Sequence, residues 1–232
     1  MAGLAVLLPF LFVALFLGLF VLLYFYNQQK ENERTRQLQL AAGQLGWSFL
    51  ADAAFNMIPG LDRFALFNQG HGKQIRNMMY GEASGVKAAV FDYIYVTGSG
   101  KHRQTHHQSV VYLEPQNLGV PYFSLRPEGF MHKIFQAFGY QDIDFGQRPE
   151  FSRRYILRGQ DEPAIRQAFT DGLLSFYESY ADTSTDGGGN QLFLFRGGYR
   201  FSPQEIQSYV GLGLSVLNLL PRHYIAGRPL RT

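Results

Sequence analysis

One carboxylate has an unusual setting. Asp92 lies inside Val86–Thr97, a stretch rich in Val, Phe, Tyr and Ile. Strand alternation puts Val90 and Ile94 on its own side. A charge among such neighbours is costly unless it is paired. Asp92 therefore fits either a perturbed catalytic acid or base, or an ion pair that only holds the fold. The structural role is the expectation, with Arg153, Arg154 or Arg158 as partner. Nearby, His102, His106 and His107 share one hairpin, and His71 lies in another loop. Imidazoles ligate zinc, but three- or four-residue spacing suits a site on one helical face. Nothing here reads as a helix, and a fourth ligand such as Glu114 or Asp92 would have to be brought in by the fold. These histidines are weak metal candidates and are expected to be solvated loop residues.

Other motifs fall short of a chemistry. Thr97-Gly98-Ser99-Gly100-Lys101 resembles the tail of a phosphate loop. However, Tyr95 holds the first glycine position, His102 follows the lysine, and the segment leads to another strand instead of a helix. The glycines at 187–189 precede a strand and lack a helix terminus to hold an anion. Asp142 and Asp144 alternate, with too few ligands for a calcium loop. There is no Gly-x-Ser-x-Gly elbow, no dinucleotide fingerprint and no cysteine. No catalytic residue and no cofactor are assigned.

The elements that would position these residues read as α+β. Candidate strands are Trp47–Leu50, Phe64–Phe67, Gln74–Tyr80, Val86–Thr97, Gln108–Glu114, Tyr122–Leu125, Arg153–Arg158 and Gln191–Arg196, the first five after Pro59-Gly60 joined by short turns and so antiparallel. Residues 53–58 read as a single helical turn, and Asp186–Asn190 as a flexible turn. Phe130, Met131, Ile134, Phe135 and Phe138 form one helical face. Asp161 caps a long helix with Pro163 in its first turn, whose buried stripe is Ile165, Ala168, Phe169, Gly172, Leu173, Phe176 and Tyr180. Ser202-Pro203-Gln204-Glu205 is a capping box opening a last helix that ends at Pro221. The expected architecture is a mainly antiparallel sheet with helices packed on one side.

The amino-terminal region is different. Leu4–Tyr26 is a run of 23 uncharged residues, 21 of them hydrophobic. At 1.5 Å per residue it reaches about 34 Å, enough for a hydrocarbon core of about 30 Å. A cleaved signal peptide would need a basic start, a shorter run and an Ala-x-Ala site. No Lys or Arg precedes residue 30 and no such site follows. Leu38, Ala41, Ala42 and Leu45 recur at helical spacing beyond it, up to Gly46. The expected organisation is a transmembrane anchor at 1–27, a helical stem at 28–46, a globular α+β domain at 47–221 and a basic tail at 222–232.

Charge sets the expected orientation. Lys30, Arg34 and Arg36 follow the span and only the α-amino group precedes it, so the amino terminus is expected outside and the domain cytoplasmic, at the inner membrane. Arg222, Arg228 and Arg231 make the tail basic, and together with Lys30, Arg34 and Arg36 form the membrane-proximal set. With 21 Lys+Arg against 18 Asp+Glu, the chain is too evenly charged for nucleic-acid binding. Ala14 and Gly18 form a small-xxx-small pair at which two anchors could pack as a homodimer.

Several strings resemble a known group. Phe91-Asp92-Tyr93-x-Tyr95-x-Thr97-Gly98-Ser99-Gly100-Lys101, then Pro121-x-Phe123-x-Leu125-x-Pro127-Glu128, then Asp142-Ile143-Asp144-Phe145 before Phe151-Ser152, are similar to uncharacterised bacterial single-pass membrane proteins with a cytoplasmic α+β domain. The resemblance implies a bacterial membrane protein and supplies no activity, cofactor or catalytic residue. The leading expectation is a membrane-tethered, non-catalytic domain. Its partners would be the lipid bilayer and a membrane protein. The alternative is a membrane-bound hydrolase using Asp92 and the His102–His107 hairpin.

Overall fold

The computed structural model describes residues 2–129, 141–180 and 182–221. The residues expected to form an anchor and a stem make up one helix, α1 (Ala2–Gln44). Within it lies a stretch long and apolar enough to cross a membrane, and its apolar window is wholly exposed. Among residues 12–44, burial begins at Leu38, Ala41 and Ala42. The helix stops because Gly46 adopts a left-handed φ of 69° that other residues resist. The Trp47 amide then returns to the Ala42 carbonyl at 2.8 Å.

Eight strands follow: β1 (Ser48–Ala53), β2 (His71–Ala83), β3 (Val86–Thr97), β4 (Gln104–Glu114), β5 (Val120–Pro127), β6 (Tyr155–Gly159), β7 (Ser184–Gly189) and β8 (Gln191–Phe195). They form one antiparallel sheet in the order β1-β2-β3-β4-β8-β7-β5-β6. One face packs under α1 and under α3 (Glu162–Ala168), α4 (Asp171–Ser179) and α5 (Ile206–Leu219), while α2 (Pro149–Arg154) leads directly into β6. The α+β class is as the sequence implies.

The second face carries its own core. Phe91, Tyr93, Val110 and Phe193 of the sheet pack there against Ile58, Leu61, Phe64 and Phe67. Phe64–Phe67 is thus not a strand. The segment contains 3-10 turns at Phe55–Met57 and Leu61–Arg63, and the Phe67 and Asn68 amides both return to the Phe64 carbonyl. Phe64, Leu66 and Phe67 are all buried against the sheet.

Three further expectations need correction. Asp186–Asn190 is not a flexible turn, since Asp186 to Gly189 belong to β7. Those glycines make room for rings, because a Cβ at Gly187 would collide with Phe123 and one at Gly188 with Tyr122. Residues 153–154 end α2, so the strand starts only at Tyr155. The long helix from Asp161 is two helices, broken at Phe169 and Thr170, whose ψ values of 73° and 164° are non-helical. The break shifts the phase, so Leu174 and Tyr177 are buried in place of Gly172, Phe176 and Tyr180. The helical face expected at Phe130–Phe138 lies outside the described residues.

Candidate functional site

Where α1 meets the sheet, apolar contact gives way to a polar junction. On a helix, positions 31, 34, 35 and 38 share one face, and here Glu31, Arg34 and Thr35 continue the buried stripe of Leu38 toward the apolar stretch. The Arg34 guanidinium donates to both Asp92 carboxylate oxygens, Nε to Oδ2 at 2.8 Å and Nη2 to Oδ1 at 2.7 Å. Asn77 Nδ2 and Ser109 Oγ donate to the same carboxylate at 3.0 and 2.7 Å. Thr35 Oγ1 donates to Asn77 Oδ1 at 2.8 Å, so two consecutive stem residues hold neighbouring strands. Asn77 sits in the left-handed region, φ 52°, where β2 is irregular between Arg76 and Met79. Asparagine tolerates that region better than most residues.

The junction also clamps the segment before α5. Arg34 Nη1 donates to the Phe201 carbonyl at 2.9 Å, and the Phe201 amide donates to Ser109 Oγ at 3.0 Å. Arg200 makes a two-pronged pair with Glu31 at 2.7 and 2.8 Å. The capping box of Ser202 and Glu205 is present as expected and opens a 3-10 turn, Pro203–Glu205, that runs into α5.

These contacts fix the protonation of Asp92. Burial alone would raise its pKa, but the hydrogen bonds and charge of Arg34, helped by Ser109 and Asn77, outweigh that and hold it below the ordinary value. The Arg200 hydrogen bonds likewise lower Glu31. Asp92 is thus an ionised acceptor receiving four hydrogen bonds, 3% exposed and covered by α1. That arrangement suits docking, not proton exchange with a substrate.

The partner of Asp92 is therefore Arg34, not Arg153, Arg154 or Arg158. Arg153 and Arg154 pair with Glu150 at the far side of the sheet, and Arg158 faces Ser124 in β5. The signal lies in periodicity, since stepping back four and then three residues from Leu38 lands on Arg34 and Glu31.

The hairpin histidines do not gather on Asp92: His107 alone shares its sheet face, where burial and Arg200 lower its pKa against the opposing charges of Glu31 and Asp92. β4 begins at Gln104, so His106 and His107 are strand neighbours that point to opposite sheet faces, paired with Tyr95 and Ile94. His106 stacks on Tyr95, with ring centroids 4.6 Å apart, and shares a 2.7 Å hydrogen bond between Nε2 and Thr97 Oγ1. Partial burial pushes its pKa down. His102 is exposed in the 3-10 turn Gly100–His102. Among the described residues, no three His, Asp or Glu side chains are grouped to hold a metal ion. Of the cations expected near a membrane, Lys30 is exposed, Arg34 is in the junction and Arg36 pairs with Glu33 at 2.6 Å. Arg222, Arg228 and Arg231 lie outside the described residues.

A second buried pair escaped the sequence reading. On the opposite face, Arg126 lies 2.6 Å from Asp186, and both are almost fully buried. Asp186 Oδ2 accepts the Leu66 amide at 2.8 Å, and the Arg126 guanidinium lies 4.6 Å from the Phe195 ring centroid. This pair fastens the 54–70 segment to β5 and β7.

No family model and no curated protein matches the chain. Among solved structures, the chain is similar to the mycobacterial trehalose monomycolate transport factor A, TtfA, with a TM-score of 0.55 and 12% identity over 82% of this chain and 98% of that one. At that identity the similarity is one of fold alone.

Proposed function

We propose that this chain is a single-span, membrane-tethered, non-catalytic domain on the cytoplasmic side of the inner membrane that binds a protein or lipid partner. The observation that carries this reading is the junction. The helix that bears the apolar span runs unbroken into Arg34, and Arg34 occupies Asp92, the one carboxylate whose setting suggested chemistry. A buried ion pair contributes little net stability, but it fixes one arrangement among several. Here it sets the attitude of the sheet to the span. The flanking charges Lys30, Arg34 and Arg36 support the orientation. The fold it shares with a trehalose monomycolate transport factor supports a role alongside lipid handling. Packing of Ala14 against Gly18 of a second copy remains part of this reading, since both lie in the exposed length of α1.

The test is enzymatic as well as topological. The full chain, purified in detergent, is expected to leave generic carboxyl and phosphate esters intact. Hydrolysis that disappears in Asp92→Asn would overturn the reading and restore the hydrolase.

A further inference from the structure

The geometry points to the β3–β4 turn, Gly98–Arg103, as a second membrane contact that docks on anionic phospholipid headgroups beside the anchor. This rests on the reading of α1 as a membrane span. At Thr35, α1 touches Asn77 of β2. Just past its end at Gln44, the Trp47 indole lies against Gly81 and donates to the Glu82 carbonyl. Nine helical residues rise about 13.5 Å, and the four strand residues from Asn77 to Gly81 rise about 13 Å. The helix therefore runs alongside β2, and the antiparallel β3 runs back toward the span.

The same ruler gives the height of the turn. Arg34 holds Asp92, and Tyr26 lies eight residues up the helix, about 12 Å away. From Asp92 to Thr97, β3 climbs five residues, about 17 Å. The turn beyond Thr97 thus reaches at least the level of Tyr26, where the apolar run ends.

Its chemistry fits that level. Lys101, His102 and Arg103 are exposed and, among the described residues, make no side-chain hydrogen bond or ion pair. His71 is exposed beside them, paired with Val96. No acidic residue occurs from 68 to 76 or from 93 to 113. Of the acids toward this end of the sheet, Asp52 pairs with Arg76, Glu31 with Arg200 and Glu150 with Arg153, while Asp182 flanks β7, about 10 Å along the sheet from β4, and Glu128 flanks β5, about 14 Å away. Asp182 is already paired with Arg196. The cations Lys101 and Arg103 are therefore left for headgroup phosphates.

Because the chain has no cysteine, Ser99→Cys creates a sole labelling site at the tip, and Asn117→Cys one at the opposite end of the sheet. Each full-length variant carries an environment-sensitive fluorophore and is placed in nanodiscs of phosphatidylcholine alone or with phosphatidylglycerol, with a headgroup-borne quencher. The label at 99 should be quenched in anionic discs, and the label at 117 should not. Each cation at an anionic surface favours contact about fivefold, so Lys101→Gln with Arg103→Gln should shift the docked-to-free ratio roughly 25-fold. A chain that incorporates but stays unquenched at 99 in both lipids overturns the contact, leaves the anchor intact and returns the tip to an acidic protein. Quenching that is equal in neutral lipid and unchanged in the double variant overturns the headgroup charge. A chain that fails to enter discs at all overturns the anchor reading itself.

Discussion

At the scale of single residues, Arg34 and Asp92 answer what the buried carboxylate is for. Removing one partner of a buried pair leaves the other desolvated and uncompensated, which costs about 3–5 kcal/mol. Arg34→Ala is therefore expected to lower the stability of the full chain by that amount in a denaturant titration. Adding Asp92→Asn to Arg34→Ala should recover part of the loss, because the orphaned charge disappears with it. The pair also makes a pH prediction. The folded pKa of Asp92 lies below its ordinary 3.8, so its contribution is complete above that value and is lost as pH falls through the lower folded value. The acid limb of the melting curve should be shallower in Asp92→Asn than in the parent. Sequence makes Asp92 conspicuous, because a charge in an apolar strand is visible locally. It does not disclose the partner, which lies 58 positions away on an element that reads as a polar stem.

At the scale of elements, what is legible follows local periodicity, and what is hidden depends on distant neighbours. β3 is readable to its ends because a near-continuous apolar run between Gly85 and Gly98 marks it. β7 is not, since Ser-Thr-Asp-Gly-Gly-Gly has almost no apolar content. It is a strand only because Phe123 and Tyr122 on the adjacent β5 lie against its glycines. Gly187→Val should therefore overpack this contact and cost about 1–3 kcal/mol or more, read as a drop in melting temperature. The α3–α4 break is hidden for a similar reason. Each half is helical in pattern, and only packing reveals that Tyr177, not Phe176, enters the core. Tyr177 is fully buried and shares a 2.7 Å hydrogen bond with Thr185 Oγ1. Tyr177→Ala should cost about 3–5 kcal/mol, with Phe176→Ala well below it. The helix-covered face follows from the amphipathic stripes. The 54–70 cover on the other face does not, because irregular backbone has no period to read.

At the scale of the whole molecule, one continuous helix carries both a stretch long and apolar enough to cross a membrane and the residues that clamp the sheet, so on the proposed reading the length between the two determines where the domain sits. A reporter fused after Thr232 should behave as cytoplasmic, and periplasmic activity there would reject the proposed orientation. Helical continuity makes a sharper demand. Four alanines inserted between Gln28 and Gln29 add about one turn, roughly 6 Å of rise, without touching Glu31, Arg34 or anything they hold. Alanine is the best helix former, so the helix should run through the insertion. Melting temperature should then stay close to that of the parent, because the Arg34–Asp92 junction travels with the domain as a unit. The Gly98–Arg103 turn, however, would be lowered by about 6 Å from the headgroups. An attraction screened over about 8 Å at physiological ionic strength should weaken markedly over that distance. Headgroup quenching of a label introduced through Ser99→Cys is therefore expected to fall in the insertion variant while stability does not. Unchanged quenching would mean that the domain finds the membrane through a flexible link, and that the junction does not set its attitude.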